Sequence, residues 1–302
     1  MLTIKKILLP TDFSADAMGA GAYARALAHA AGAELHVIYA DVLHADSLAG
    51  VSDFPKTPES VQVELERLTA EAAAADGLDV DVQHVVTRNI SAAPAILEYA
   101  GDHDVDVIVM GTHGRRGVRR LLLGSVAEEV VRVSRCPVLT VRQQSEAPLK
   151  HVEIGSILVP IDFSIHSRNA LSYATELARL FKSRLDLIHV VEETLHPAFY
   201  GITVQSIYDV HPDIEERALA QMRRLVDGAD VPATFEARPG SAANGIVEYA
   251  TERGSGLVVM CTHGLTGLDH FIMGSTTERV LRRAPCPVFS VKSFGKSLIE
   301  SK

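Results

Sequence analysis

Two stretches carry residues suited to holding a phosphorylated ligand. One is Asp12, directly after the apolar run that ends at Pro10 and Thr11. The other is the segment from Gly111 through His113, Gly114, Arg115, Arg116, Gly117, Arg119 and Arg120 to Gly124-Ser125-Val126, which opens after Met110. Its glycines admit backbone conformations closed to other residues and let amides approach a ligand. Gly124-Ser125-Val126 reads as a helix start, where unpaired N–H groups and the positive end of the dipole favour phosphate. The Asp12 carboxylate accepts hydrogen bonds from ribose hydroxyls or an adenine amino group and repels phosphate, so it belongs at the nucleoside end. Of the four arginines, one or two are expected near the phosphates and the others on the surface.

Each feature has a plainer reading when taken singly. Asp12 alone is equally a helix-capping or turn residue, and a lone glycine loop often only turns the chain. His113 and His263 read as loop hydrogen-bonding residues, because no serine, cysteine or paired carboxylate accompanies them at a catalytic spacing. No catalytic residue is assigned. Cys136 and Cys286 precede Pro-Val as small buried hydrophobes, and Cys261 with His263 fits no compact zinc pattern, so no metal site is assigned either. The loop lacks a Walker lysine, a second acidic residue for Mg²⁺ and an evident general base.

The elements that must position these residues repeat. Ile7 to Ser14 returns as Ile157 to Ser164, Ile96 to Ala100 as Ile246 to Ala250, and Thr112-His113-Gly114 as Thr262-His263-Gly264. Gly124-Ser125 returns as Gly274-Ser275 and Cys136-Pro137-Val138 as Cys286-Pro287-Val288, always 150 positions on. One fixed offset over the whole length marks a duplicated domain. The expected domains are residues 1–145 and 152–295, joined by a polar stretch containing Pro148. In the first copy, strands are expected over 4–9, 35–40, 80–86, 105–110 and 137–141, with helices after Ser14 and over 59–75, 92–100 and 125–134. The second copy repeats the strands over 156–159, 185–190, 233–237, 257–260 and 288–291. Such alternation predicts α/β domains, each a parallel sheet with helices on both faces. Each is expected to be Rossmann-like and doubly wound, with five strands in the order 3-2-1-4-5. Ligands of such sheets sit beyond the carboxyl ends of the strands, where Asp12 and the glycine loop fall.

Composition narrows the partners. With 29 Lys+Arg against 38 Asp+Glu, the formal net charge is -9, which opposes attraction to nucleic acid or an anionic membrane. No apolar run approaches the ~20 residues of a membrane span. Three widely spaced cysteines fit a reducing compartment, and a cytoplasmic location is expected.

The glycine loop and Asp12 together resemble the universal stress protein family, once per copy. Its ATP-binding members carry glycine, two residues, glycine, nine residues, then glycine with serine or threonine, and Gly111, Gly114, Gly124 and Ser125 match without a gap. Asp12 matches the family's aspartate after the first strand, and Ala40 and Met110 fall where residues line the purine site. The resemblance implies an adenine nucleotide, ATP with or without Mg²⁺, with slow hydrolysis at most and a role in stress survival. It also implies pairing through the last strands, giving an internal pseudo-dimer and a homodimer. The second copy is the weaker expected site, formed by Asp162, Val190, Met260, Gly264, Gly274, Ser275 and Thr276. There Cys261 replaces the first glycine, and Leu265, Thr266, Asp269 and His270 stand in place of the arginines. The leading expectation is a nucleotide-responsive regulatory protein. A slow ATPase, an adenylyl-transferring enzyme and a non-binding scaffold are the alternatives.

Overall fold

The computed structural model describes residues 2–42, 57–112, 123–142, 152–192, 208, 211–262, 273–292 and 294–299. The chain forms two compact units, Met1–Glu153 with Phe294–Lys302, and Ile154–Ser293.

In the first unit the elements run β1 (Lys6–Thr11), α1 (Ala15–Ala31), β2 (Glu34–Val42), α2 (Pro58–Asp76), β3 (Val82–Asn89), α3 (Ala92–Asp102), β4 (Val107–Gly111), α4 (Ser125–Val133) and β5 (Val138–Val141). Every pairing is parallel, in the order β3-β2-β1-β4-β5. Consecutive residues of a strand point to opposite faces. Ile7 and Leu8 are both fully buried, as are Ile108 and Val109, so both faces of the sheet are covered. Helix α1 is capped by Ser14, whose hydroxyl accepts from the Ala17 amide, and ends at Gly32 in the left-handed conformation. Its buried stripe is mostly alanine, which lets the backbone lie close to the sheet. Within it Arg25, 3% exposed, donates from Nε to the Asp76 carboxylate at 2.6 Å and from Nη2 to the Leu78 carbonyl at 2.8 Å. This pairing pins the end of α2.

The second unit repeats the plan with β6 (Ser156–Pro160), α5 (Ile165–Phe181), β7 (Arg184–Val191), α6 (Ile214–Leu225), β8 (Ala233–Pro239), α7 (Ala242–Arg253), β9 (Leu257–Cys261), α8 (Ser275–Arg283) and β10 (Val288–Val291). Its order is β8-β7-β6-β9-β10, again parallel. The expected strand order therefore holds in each unit.

Two details separate the copies. Leu35 pairs with Val82, whereas Leu185 pairs with Ala233, so β2 maps to β7 by 185 − 35 = 150 but β3 maps to β8 by 233 − 82 = 151. The first copy regains the residue before α3, where Ile90 projects at 81% exposure. The second difference is steric. A Cβ at Gly245 on α7 would stand 2.9 Å from Val190 Cγ2 on β7. The corresponding positions of the first unit are Ala95 and Ala40, so bulk on the strand and bulk on the helix trade places.

Candidate functional site

In each unit the first strand lies between the second and fourth strands, and the chain leaves it toward one before returning on the other side. A crevice opens at such a reversal of strand order, beyond the carboxyl ends. Pro10 and Thr11 end β1, Met110 and Gly111 end β4, and Ala40 stands near the end of β2. Pro10 is level with Ile38 and Thr11 with Tyr39.

Asp12 is held there by an unusual turn. Phe13 has φ 63° and Phe163 has φ 62°, the left-handed region that costs a residue with a bulky side chain about 1–2 kcal/mol. Both copies accept that strain at the same step between strand and helix. The Phe13 amide donates to Thr11 Oγ1 at 3.1 Å, and the Ser14 amide donates to Asp12 Oδ1 at 3.0 Å. The Phe13 ring stacks on Tyr39 with centroids 5.2 Å apart. In the second unit the Ser164 amide and hydroxyl both donate to Asp162 Oδ1, at 3.0 and 2.6 Å. Burial pushes the Asp162 carboxyl up, but donation from Ser164 and Ser167 outweighs it and holds the group below the usual carboxylate range. There Phe163 packs against His189, whose Nδ1 lies 2.7 Å from the Ile161 carbonyl and must carry a proton to donate to it. The turn and the carboxylate are thus one unit, in which Asp12 accepts as a turn residue.

The opposite wall is the return of the glycine loop. The Gly124 amide donates to the Thr112 carbonyl at 2.8 Å, and the Thr112 amide donates to the Val141 carbonyl at 3.0 Å. Gly274, Thr262 and Val291 repeat both bonds at 2.9 and 3.0 Å. These bonds join the residues flanking the loop to each other and to the end of the fifth strand in each copy. Gly124 and Gly274 are the N-caps of α4 and α8, and neither start has a side-chain cap, unlike α1 and α5. Ser125 and Ser275 are exposed at these starts, with Val126 and Thr276 half-buried behind them. His113, Gly114, Arg115 and Gly264, with the other loop arginines and their second-copy counterparts, lie outside the described residues, as does most of the connection 192–212.

Gly111 has a packing reason for being glycine that was not expected from the sequence. A Cβ there would stand 2.7 Å from the Asp16 carbonyl carbon and 2.9 Å from the Ala17 amide nitrogen, so the first turn of α1 already fills that space. Close approach of a ligand is not needed to explain it. In the second unit Cys261 occupies the position and is buried at 6% exposure.

The same corner contains residues that motif reading passed over. Thr112 Oγ1 donates to Asp16 Oδ2 at 3.2 Å. Arg142, just past β5, is drawn below the ordinary guanidinium range by burial, against the pull of the Asp16 carboxylate. A signal existed in the repeat: a basic residue, Arg142 or Lys292, follows the last strand of both copies. Asp16 has no such mark, since His166 replaces it in the second copy. Among the described residues no group of His, Cys, Asp and Glu could hold a metal ion, and no helix is long and apolar enough to cross a membrane.

The architecture defines a class, two tandem Rossmann-like α/β domains that each present a carboxylate and a glycine-capped helix at the strand reversal. The model of the Universal stress protein family matches residues 3–142 and 153–292, and the chain belongs to that family. Universal stress protein MJ0577 of Methanocaldococcus jannaschii is 34% identical over 157 residues, covering 47% of this chain and 96% of its own length. Universal stress protein Rv2005c of Mycobacterium tuberculosis is 27% identical over 224 residues, covering 74% of this chain and 72% of its own. The crystal structure of a universal stress protein from Archaeoglobus fulgidus covers 95% of this chain and 98% of its own at TM-score 0.66 and 22% identity, a likeness of fold.

Proposed function

We propose that the protein binds ATP, chiefly in its first domain, and acts in the cytoplasm as a nucleotide-responsive regulatory protein of stress survival. The observation that carries this reading is the convergence at one strand reversal of Asp12, fixed by its strained turn, with the start of α4, where the glycine loop returns without a side-chain cap. Asp12 would take the nucleoside, with Ala40 and Met110 beside the purine. Ser125, Val126 and the amides of α4 would take phosphate, joined by Gly114, Arg115 and His113. Asp162, Gly274, Ser275 and Thr276 make the corresponding weaker set in the second domain, where Asp269 adds negative charge to the loop. The site supplies positioning and charge without an identified base, so turnover is expected to be far slower than the ~1–100 per second of dedicated phosphoryl-transfer enzymes.

The test is calorimetric titration of ATP into the intact chain and into Asp12→Ala and Asp162→Ala variants, after any nucleotide retained through purification has been identified by mass spectrometry. Loss of most binding in the first variant with little change in the second is the expected result. The reverse pattern would move the working site to the second domain, and unaltered binding in both would refute the site assignment.

A further inference from the structure

We propose that the edge of the first unit at the amino ends of its strands, remote from the nucleotide crevice, is a peptide-docking site whose resident ligand is the segment Phe294–Ile299, keyed to its Gly-Lys pair. This segment follows β10 in the chain, yet it packs as part of the first unit. Three independent contacts hold it there.

The first is ionic. Asp106, immediately before β4, is 4% exposed, and burying a carboxylate is costly unless its oxygens are satisfied. Its Oδ2 accepts the Lys5 and Lys6 amides at 2.7 and 3.0 Å, and its Oδ1 receives the Lys296 ammonium at 2.6 Å. Lys296 Nζ also donates to the Asp104 carbonyl at 3.0 Å. Asp104 itself is bent into the left-handed region at φ 53°. The second contact is steric. Gly295 has φ +88°, and a Cβ there would overlap the Arg135 carbonyl oxygen while standing 3.0 Å from that residue's Cα and carbonyl carbon. No other residue fits, and the next amide, Lys296, donates to the same carbonyl at 3.0 Å. The third is an apolar anchor with a strand-like rung: Leu298 is 4% exposed, its carbonyl accepts the Thr3 amide at 2.9 Å, and Ile299 bridges Leu2 in antiparallel sense.

A cation, an obligatory glycine and a buried leucine in fixed register amount to a recognition sequence. Among the described residues the second unit lacks the carboxylate, because Gly256 stands where Asp106 would be and a Cβ there would lie 3.2 Å from Ile154 Cα and the Ser156 carbonyl oxygen. The site was therefore invisible to comparison of the two copies.

The experiment uses the chain ending at Ser293 and a fluorescein-labelled synthetic peptide of residues 293–302, followed by anisotropy. Saturable binding to the shortened chain, and none to the full chain whose site is filled, is expected. A Lys296→Ala peptide should bind at least about tenfold more weakly, since it forfeits a hydrogen bond between charged groups, and a Gly295→Ala peptide should not bind. Asp106→Asn in the shortened chain should erase the preference for lysine over alanine. Absence of binding by the folded shortened chain, or equal binding of the Lys296→Ala peptide, would overturn the proposal. Should the shortened chain fail to fold, hydrogen exchange of the Thr3 amide in full-length Gly295→Ala decides: at least tenfold acceleration supports the docking geometry, and unchanged exchange overturns it.

Discussion

Gly111→Ala separates two explanations of the glycine loop. If the residue is glycine because phosphate comes close, alanine should weaken nucleotide binding and leave the empty protein unaffected. The structure points elsewhere, since the added Cβ would stand 2.7 Å from the Asp16 carbonyl carbon. Ordinary contacts begin near 3.4 Å, so the first turn of α1 must retreat by roughly 3.4 − 2.7 = 0.7 Å at that point, and both near atoms of the main chain must move together. The retreat also stretches the 3.2 Å bond from Thr112 to Asp16. Overpacking of this kind costs about 1–3 kcal/mol. For a unit of this size about 2 kcal/mol corresponds to a fall of roughly 4–8 °C in midpoint. Differential scanning calorimetry of the nucleotide-free full chain, with the two units' transitions resolved by comparison with a second-domain variant, reads this directly. A midpoint unchanged within 1 °C, combined with a tenfold or greater loss of ATP affinity, would refute the packing argument and restore the ligand as the reason.

Gly245→Ala should destabilise the second unit by about 1 kcal/mol or more although alanine is the better helix former, because its methyl would meet Val190 at 2.9 Å. Adding Val190→Ala should recover most of the loss, and chemical denaturation of the three variants checks the non-additivity. Asp76→Asn should cost about 3 kcal/mol at neutral pH by leaving Arg25 buried without its charge partner. Burial raises the Asp76 carboxyl, but donation from Arg25 and the Leu78 amide overcomes this and holds it below the usual range. A lowered folded value means that the contribution is complete above the unfolded value of ~4 and is lost as pH falls through the folded one. Denaturation midpoints of parent and variant should therefore converge below about pH 4.

The strand order and most elements were legible because apolar runs such as Ile7 to Leu9 and the helical spacing of Ala17, Ala24, Leu27 and Ala28 report burial directly. The third strand was less so. It was expected over 80–86 and forms at Val82–Asn89, and the repeat blocks on either side, which share one offset, conceal the compensating shift within. In the candidate site, residue type exposed Asp12, Gly124 and Ser125. The left-handed conformation of Phe13 had no signature, since phenylalanine is an unexpected choice for it; hydrogen bonds around the turn and the stacking on Tyr39 accompany it. Asp16 on α1, Thr112 just past β4 and Arg142 just past β5 come together through the topology of the sheet, and no local pattern links them. The role of Gly295 was equally hidden, because a glycine near a chain end ordinarily signals nothing.

A chain that encodes one fold twice runs a hazard during synthesis, that a helix of one copy settles on the sheet of the other. The exchange of bulk between Ala40–Ala95 and Val190–Gly245 works against that error in both directions. Were α3 to settle on β7, the methyl of Ala95 would press on Val190 much as the absent Cβ of Gly245 would, at 2.9 Å. Were α7 to settle on β2, Gly245 would face Ala40 across a gap with a methyl missing on one side and an isopropyl group cut to a methyl on the other, a void that forfeits contact energy. Sequence divergence between the copies thus penalises both crossed pairings, one mismatch too tight and the other too loose.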